Sequence, residues 1–484
     1  MNIPSSPINV YRENLSFDPD QTKVITRFFQ PSKERQDNII QRIMKLSDNE
    51  VDQILKITIA NFSDRHDNIK RIFKTNFDKL NIEIDLSLER RLLIGSYFTM
   101  EYAIETASLL NPSIVPHPDQ NEVEEDEKRV IMSFRAVGEG HMSSIVFREG
   151  IIKANGSLFI EQDNSKLELG KINDDLLYNK KDFVLKLKEI NSYESVKSIL
   201  NNLLEKFSYA ELKESTGRFI NKYKNDKSFN SEAIETLIWF AKSNIEIEFD
   251  EERDLSGRVI FPRSKGEIKA LEDARFVQFQ EVDGSTKYYA TYTAYDGRNI
   301  LPQLVETKNF YRFKNNTLMG GGSQNKGMAL FSERIKGEYV MLSRNDNENL
   351  FLMYSNRINY WEKPILLRMP TFYWEFYQIG NNGSPLKTEE GWLVLTHGVG
   401  PVRTYCIGAI LLDLDNPNKI IKATREPILF PIENERDGYV PNVVYSCGSI
   451  IHKEYLIMPY AVSDTRSGVA KFNLKELLTC MEAC

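Results

Sequence analysis

The sequence predicts a mainly β fold carrying two helical tracts, and three observations lead there. The first is recurrence. Five strand-like runs share one form, apolar and aromatic residues ending in small or polar ones: Val130–Ala136, Tyr288–Asp296, Tyr339–Asn345, Trp392–Gly398 and Tyr455–Val462. The last four return at intervals of about 50 to 63 residues, near the size of one four-stranded propeller blade. The second is a hairpin. Alternating runs rich in Val, Phe, Tyr and Thr flank Asp283-Gly284, a dipeptide suited to a tight turn between strands. The third is a switch to i, i+3, i+4 apolar spacing in two stretches, one before residue 110 and one between the first two runs. Five recurrent strands predict a five-bladed β-propeller. A β-sandwich also supplies many short strands and is the alternative that spacing leaves open.

Taken in order, residues 1–30 read as an extended arm with Pro4, Pro7 and Pro19 and a short β-like run, Val24–Phe29. Helical spacing starts at Ser32, with Ile39, Ile40 and Ile43 on one face. Ser47 and Glu50 have the spacing of a capping box ahead of Val51, Ile54, Leu55 and Ile59. A further helix is predicted over His66–Leu80, and a long apolar one over Leu86–Leu110, stopped by Asn111-Pro112. After Pro118 the pattern becomes β. The first two recurrent runs lie about 158 residues apart, far more than one blade, and the excess reads as a helical insertion. Its helices are predicted over Lys180–Glu189, Ser192–Phe207, Tyr209–Lys222 and Ser231–Lys242, with Lys/Glu-rich faces that are solvated or meet another subunit. Strands resume at Ile245–Phe249 and Arg258–Phe261. The expected organisation is an arm and helical region over 1–110, then a propeller catalytic domain over 111–484 with the insertion at about 178–245.

Composition narrows the function. The 484 residues are 41% hydrophobic, ample for one large core or two to three domains. Lys and Arg number 62 against 69 Asp and Glu, a net charge of −7, with no long block of one sign. That balance argues against a nucleic-acid or anionic-membrane partner. Met1–Asn14 lacks a basic segment followed by an apolar one, and no apolar run nears membrane-spanning length, so a soluble cytoplasmic protein is expected. Cys406, Cys447, Cys480 and Cys484 are too few and scattered for a disulfide scaffold. His66, His117, His141, His397 and His452 are not at ligand spacing, so neither a metal nor another cofactor is expected.

In a propeller the inner strands line a central channel, and polar residues near the ends of the recurrent runs converge there. That set holds Arg135, Asp273, Asp296, Lys326, Arg344, His397, Tyr405 and Asp464, with Tyr295 and Tyr460. Carboxylates beside hydroxylated aromatics suit a sugar, which needs paired donors and acceptors and a flat apolar partner. Clustered Lys, Arg, His and Tyr suit an anion such as phosphate. Each residue also has a plainer reading. His397 and Tyr405 fit structural core positions, Arg135 and Arg344 fit salt bridges between blades, and Asp273 between Glu272 and Arg275 fits an ion pair at a strand end.

Leu271-Glu272-Asp273-Ala274-Arg275, followed by Tyr289 to Gly297, resembles the Glu-Asp-Pro-Arg segment and Tyr-Thr-Ala-Tyr strand of glycoside hydrolase family 130, the β-mannoside phosphorylases. Further similar segments are Asn111-Pro112, Phe134-Arg135-Ala136, Asn325-Lys326 with Ala329-Leu330-Phe331, Leu342-Ser343-Arg344 and His397-Gly398-Val399. Tyr405 with Gly408-Ala409, Pro441-Asn442-Val443-Val444 and Ala461–Asp464 complete the series, which runs in order from about residue 108 to the carboxyl end.

The resemblance implies a five-bladed propeller and an inverting β-mannoside phosphorylase, preferring β-1,2-linked mannooligosaccharides because the longer members with helical inserts look closest. Phosphate would attack the anomeric carbon from the face opposite the leaving group and release α-mannose 1-phosphate. Asp273 matches the acid that protonates the glycosidic oxygen, in some members through a hydroxyl of the bound mannose. Asn111, Arg135, Tyr295, Glu435 and Asp464 are the expected sugar-binding residues; Lys326, Arg344, His397, Arg403 and Tyr405 are the expected phosphate-binding residues. The implied partners are a mannooligosaccharide and inorganic phosphate as co-substrate, with homo-oligomer contacts through the helical regions.

Two departures stand out. Ala274 occupies the position of the usual Pro, and neutral Gln378 precedes Ile379-Gly380 where many phosphorylases carry Lys, so that Arg344 or Arg403 must supply the charge. This opens a second reading, an inverting β-mannosidase in which water replaces phosphate and a second carboxylate acts as base. Phosphorylases for β-1,3 or β-1,4 mannosides are a further alternative, and a propeller that only binds glycans or a partner is a third. The retained cations favour phosphorolysis. In Glu272 and burial the sequence offers two influences that raise the proton affinity of Asp273 and in Arg275 one that lowers it.

Overall fold

A computed structural model describes residues 6–121, 123–161, 165–224, 229–263, 270–295 and 300–483. Asp296, Gly297 and Cys484 lie outside the described residues. The chain is mainly β, and among the described residues four helices precede the first large sheet and four lie between its strands: α1 (Lys33–Met44), α2 (Asp48–Phe62), α3 (Ile69–Asp78), α4 (Leu88–Tyr97), α5 (Lys180–Glu189), α6 (Tyr193–Asn201), α7 (Tyr209–Tyr223) and α8 (Ser231–Ser243). A last helix, α9 (Leu474–Cys480), follows the final long strand.

Local signals behave as their chemistry dictates. At α2 the Glu50 backbone N–H donates to Ser47 Oγ, and the Ser47 backbone N–H donates to Glu50 Oε2, the reciprocal capping box the spacing predicts. Asp283 and Gly284 turn strand Ala270–Gln280 back onto Thr286–Tyr295.

The predicted helix over Leu86–Leu110 is corrected. Helix α4 stops at Tyr97, and strands Thr99–Ala103 and Ser108–Pro116 follow. The first pairs with Val24–Phe28, and the second, buried along nearly its whole length, opens the large sheet. A strand buried on both faces is apolar without alternation, and within the chain alone such a run is indistinguishable from a buried helix. For a related reason Ser192–Phe207 is only partly helical. It leaves α6 at Asn201, and Lys206–Ser208 pairs with Leu177–Asn179.

Among the described residues four larger sheets form. The first joins two antiparallel groups, Ser108–Ile152 and Ala270–Thr317, which meet where Ala270 lies parallel to Ser143. The others hold Ala329–Arg368, Gln378–Ala423 and Val444–Asn473. Each recurrent run is the body of a strand, two in the large sheet and one in each of the others. The first strand of the chain, Tyr11–Phe17, joins the last sheet by pairing antiparallel with Arg466–Asn473. Phe17 thereby enters a core shared with Phe134 of the first sheet and Ile457 of the last.

Helices α5–α8 pack around a core that Met319 also enters, and in it Phe183 meets Phe207 and Phe240 edge-on at centroid distances of 5.0 and 4.8 Å. No helix among the described residues is long and apolar enough to cross a membrane.

Candidate active site

Two β-bulges bring the first pair of predicted residues together. Between Glu272 and Arg275 the register with Thr286–Tyr295 slips, so Asp273 and Ala274 oppose one residue, and Asp273 takes φ +56°. Between Leu110 and Ser113 the register with Lys128–Val137 slips in the same way, and Asn111 takes φ +51°. Asp and Asn are the non-glycine residues that best tolerate this left-handed backbone. The bulges aim their side chains at one another, and Asn111 Nδ2 donates to Asp273 Oδ1.

Cations crowd this carboxylate. Arg275 is buried; its Nη1 donates to the Asp273 backbone carbonyl at 2.9 Å, its Nε to the Asn382 carbonyl at 2.8 Å and its Nη2 to the Tyr445 hydroxyl at 2.7 Å, while Asp273 Oδ2 lies 3.5 Å from Nη2. Glu272 is held between Arg135, 3.0 Å from Oε1, and Lys326, 2.5 Å from Oε2. Tyr295 faces the Lys326 ammonium, 5.9 Å from the ring centroid. Burial pushes Asp273 up, but Arg275, Lys326, Arg135 and Arg344 together outweigh it and hold the carboxyl below its ordinary range. Asp273 is therefore ionised in the free protein. Of the influences read from the sequence, the cationic one prevails, reinforced by charges from three other segments.

A second group adjoins it. His397 is buried opposite Gly380, with Arg344 Nη1 3.2 Å from its Nε2. Burial first, then Arg344 and Arg275, holds the imidazole well below its ordinary range, so it is neutral. The Gln378 amide is best oriented with its nitrogen donating to the Asn347 carbonyl at 3.1 Å and its oxygen accepting from Arg344 and from His397 Nε2. Arg344, rather than Arg403, thus stands beside the neutral Gln378. Among the described residues Arg344 Nε is buried without a protein partner. Tyr405 stacks near His397 at 6.1 Å, and Tyr445 lies 4.9 Å from the same imidazole and 6.4 Å from Tyr405.

Asp464 completes the set. It sits at φ +53° after strand Tyr455–Val462, and burial pushes its carboxyl up to about 6 against the opposing pull of Arg135 and Arg403. Arg403 is exposed on a turn and acts on Asp464 through its charge.

Glu435 is held by groups of the protein itself. Arg12 Nε and the Tyr460 hydroxyl donate to its Oε1 at 3.1 and 2.5 Å, and Arg12 Nη2 and the Ile432 backbone N–H donate to Oε2 at 3.3 and 3.1 Å. A carboxylate has about four acceptor sites, and protein donors engage all four of this buried one. Sequence reasoning missed Arg12, Asn382 and Tyr445. Tyr445 immediately follows the Pro441-Asn442-Val443-Val444 segment, while Arg12 carries no signal beyond being one basic residue in an extended arm. A cavity of about 690 Å³ lies between α5, α8, Ile300–Pro302 and Ser323–Asn325, and none of the predicted site residues lines it.

Residues 177–483 match a family model described as beta-1,4-mannooligosaccharide phosphorylase. The chain belongs to glycoside hydrolase family 130. Relatives in this family include the 1,2-beta-oligomannan phosphorylase of Thermoanaerobacter sp. (strain X514), 35% identical over 225 residues, 45% of this chain and 73% of that one. A beta-1,2-mannobiose phosphorylase of Listeria innocua is 31% identical over 232 residues, 46% of this chain and 63% of its own. The solved structure of a Listeria innocua beta-1,2-mannobiose phosphorylase bound to beta-1,2-mannobiose aligns over 78% of this chain and 93% of that one, at 21% identity and a TM-score of 0.43. The family match holds Asp273, Lys326, Arg344, His397, Tyr405 and Asp464, whereas Arg12, Asn111 and Arg135 precede it.

Proposed function

We propose that this chain is an inverting β-mannoside phosphorylase acting on β-1,2-linked mannooligosaccharides, with inorganic phosphate as co-substrate and α-mannose 1-phosphate as product. The observation that carries the reading is the adjacency of one carboxyl group, Asp273, to a cationic cluster of Arg344, Lys326, Arg135 and Arg275 around a neutral histidine. A group able to pass a proton to a leaving oxygen beside a site for an attacking anion is what phosphorolysis requires. Relatives whose names specify β-1,2 linkages support the linkage.

In this mechanism Asn111 fixes the Asp273 carboxyl, Asp464 and Arg135 hold the mannosyl hydroxyls, and Arg344, Lys326, His397 and Tyr405 receive phosphate. Phosphate brings negative charge among the cations that keep Asp273 ionised. Its arrival raises the proton affinity of Asp273 and so couples co-substrate binding to the acid form. Phosphate oxygen then bonds to the anomeric carbon as the glycosidic bond breaks, and the Asp273 proton moves to the departing oxygen. The two sheet groups of the large sheet and the three other sheets are read as the five blades of a propeller around this centre. No cofactor or metal enters the scheme, and a cytoplasmic location and homo-oligomer contacts through the helical tracts belong to the same proposal.

Product analysis tests it. Purified protein is given β-1,2-mannobiose or mannotriose with and without phosphate, wild type beside Asp273→Asn. Mannose 1-phosphate formed only with phosphate, and absent in the variant, is the expected result. Free mannose released regardless of phosphate would overturn it in favour of a hydrolase.

A further inference from the structure

We propose that Arg12, on the first strand of the chain, is a positioning residue for the catalytic centre: through Glu435 it holds the loop 432–443 and, with it, Asp464. The inference rests on the mannoside reading above. Arg12 lies outside the region matched by the family model, and its partner Glu435 is 423 residues away.

Three observations carry it. The Arg12 guanidinium addresses Glu435 with two nitrogens, and Nη2 also donates to the Phe430 carbonyl at 2.9 Å. A planar fork fits this three-acceptor corner, which a lysine ammonium on a flexible stem does not match. The loop anchored there is tied directly to the Asp464 turn. Ser463 Oγ donates to the Glu435 carbonyl at 2.7 Å, the Val440 N–H to the Ser463 carbonyl at 3.1 Å, and the Ser463 N–H to the Val443 carbonyl at 2.8 Å. Finally, Ser463 and Asp464 both occupy left-handed backbone, at φ +47° and +53°, which persists only where the surroundings over-determine it. Arg12 itself is fixed because its strand is paired, Arg12 lying opposite Ala470. Removing the guanidinium leaves the buried Glu435 carboxylate without its cation, and the loop must move to hydrate it.

The test uses the full chain with Arg12→Lys and Arg12→Gln, assayed on β-1,2-mannobiose and phosphate, with rates expressed per folded enzyme from circular dichroism. A merely structural loss lowers the active fraction and leaves the mannoside KM alone. Mispositioning of Asp464 raises that KM and lowers kcat/KM by about 10- to 100-fold in Arg12→Gln, with partial recovery in Arg12→Lys. An unchanged KM in both variants overturns the proposal. If the wild type turns over no mannoside, the functional reading fails separately, and the crystal structure of Arg12→Gln decides the positioning claim. Displacement of loop 432–443 and Asp464 from their wild-type places upholds it; superposition overturns it.

Discussion

Asp273 and Asp464 are two carboxyl groups driven in opposite directions by their surroundings. Around Asp273 four guanidinium or ammonium groups outweigh burial, whereas around Asp464 burial outweighs Arg135 and Arg403. The consequence for stability follows from proton linkage. A carboxyl with folded-state pKa of about 6, against an ordinary value of 3.8, binds its proton more tightly in the folded protein. Its contribution is fully favourable below the ordinary value and is lost as pH rises through the folded one. Asp464→Asn is therefore expected to raise the melting temperature at pH 8, to give no gain near pH 4, and to abolish turnover. Thermal melts at the two pH values check this, and an equal shift at both would show that ionisation is not the cause. Such a gain in stability with loss of activity is the usual mark of a residue retained for binding.

At the scale of elements, the site depends on irregularities in strands. Both bulges place a short polar side chain where regular pairing would have turned it away, so Asn111 meets Asp273 across two hairpins. Regular pairing matters equally around His397. Gly380 lies opposite His397, and a Cβ there would come within 2.5 Å of His397 Cε1 and 2.9 Å of Nε2. Gly380→Ala must push the imidazole out of line with Arg344 and Gln378. The expected outcome is a rise in the KM for phosphate of about tenfold or more, with far-ultraviolet circular dichroism unchanged. Unaltered phosphate kinetics would mean that His397 is packing rather than ligand.

At the scale of the molecule, the first strand completes the last sheet, and Phe17 stacks obliquely on Phe134 with centroids 4.8 Å apart. That contact joins the two ends of the chain through one core, shared by strands of the first and last sheets. Phe17→Ala removes a buried aromatic from it and should cost about 3 to 5 kcal/mol. Denaturant unfolding monitored by tryptophan fluorescence measures the loss. A loss well under 1 kcal/mol would show this contact to be peripheral.

What lay open in the sequence was whatever short-range physics encodes. The capping box at Ser47 and Glu50, the Asp283-Gly284 turn, the strand character of the five runs and the helical spacing of the insertion all depend on neighbours within a few residues. The residue types around Asp273 were equally legible, since Glu272 and Arg275 flank it in the chain. Tertiary structure decided the rest. Asn111 and Asp273 are 162 residues apart, so their hydrogen bond depends on two bulges in different hairpins. Glu435 and its partner Arg12 are 423 residues apart, so no local signal joins them. The stretch after Tyr97 became strands because partners elsewhere supply its backbone hydrogen bonds. The direction of the Asp273 shift, finally, is a sum over charges from four segments of chain, and only folding brings those charges within range of one another.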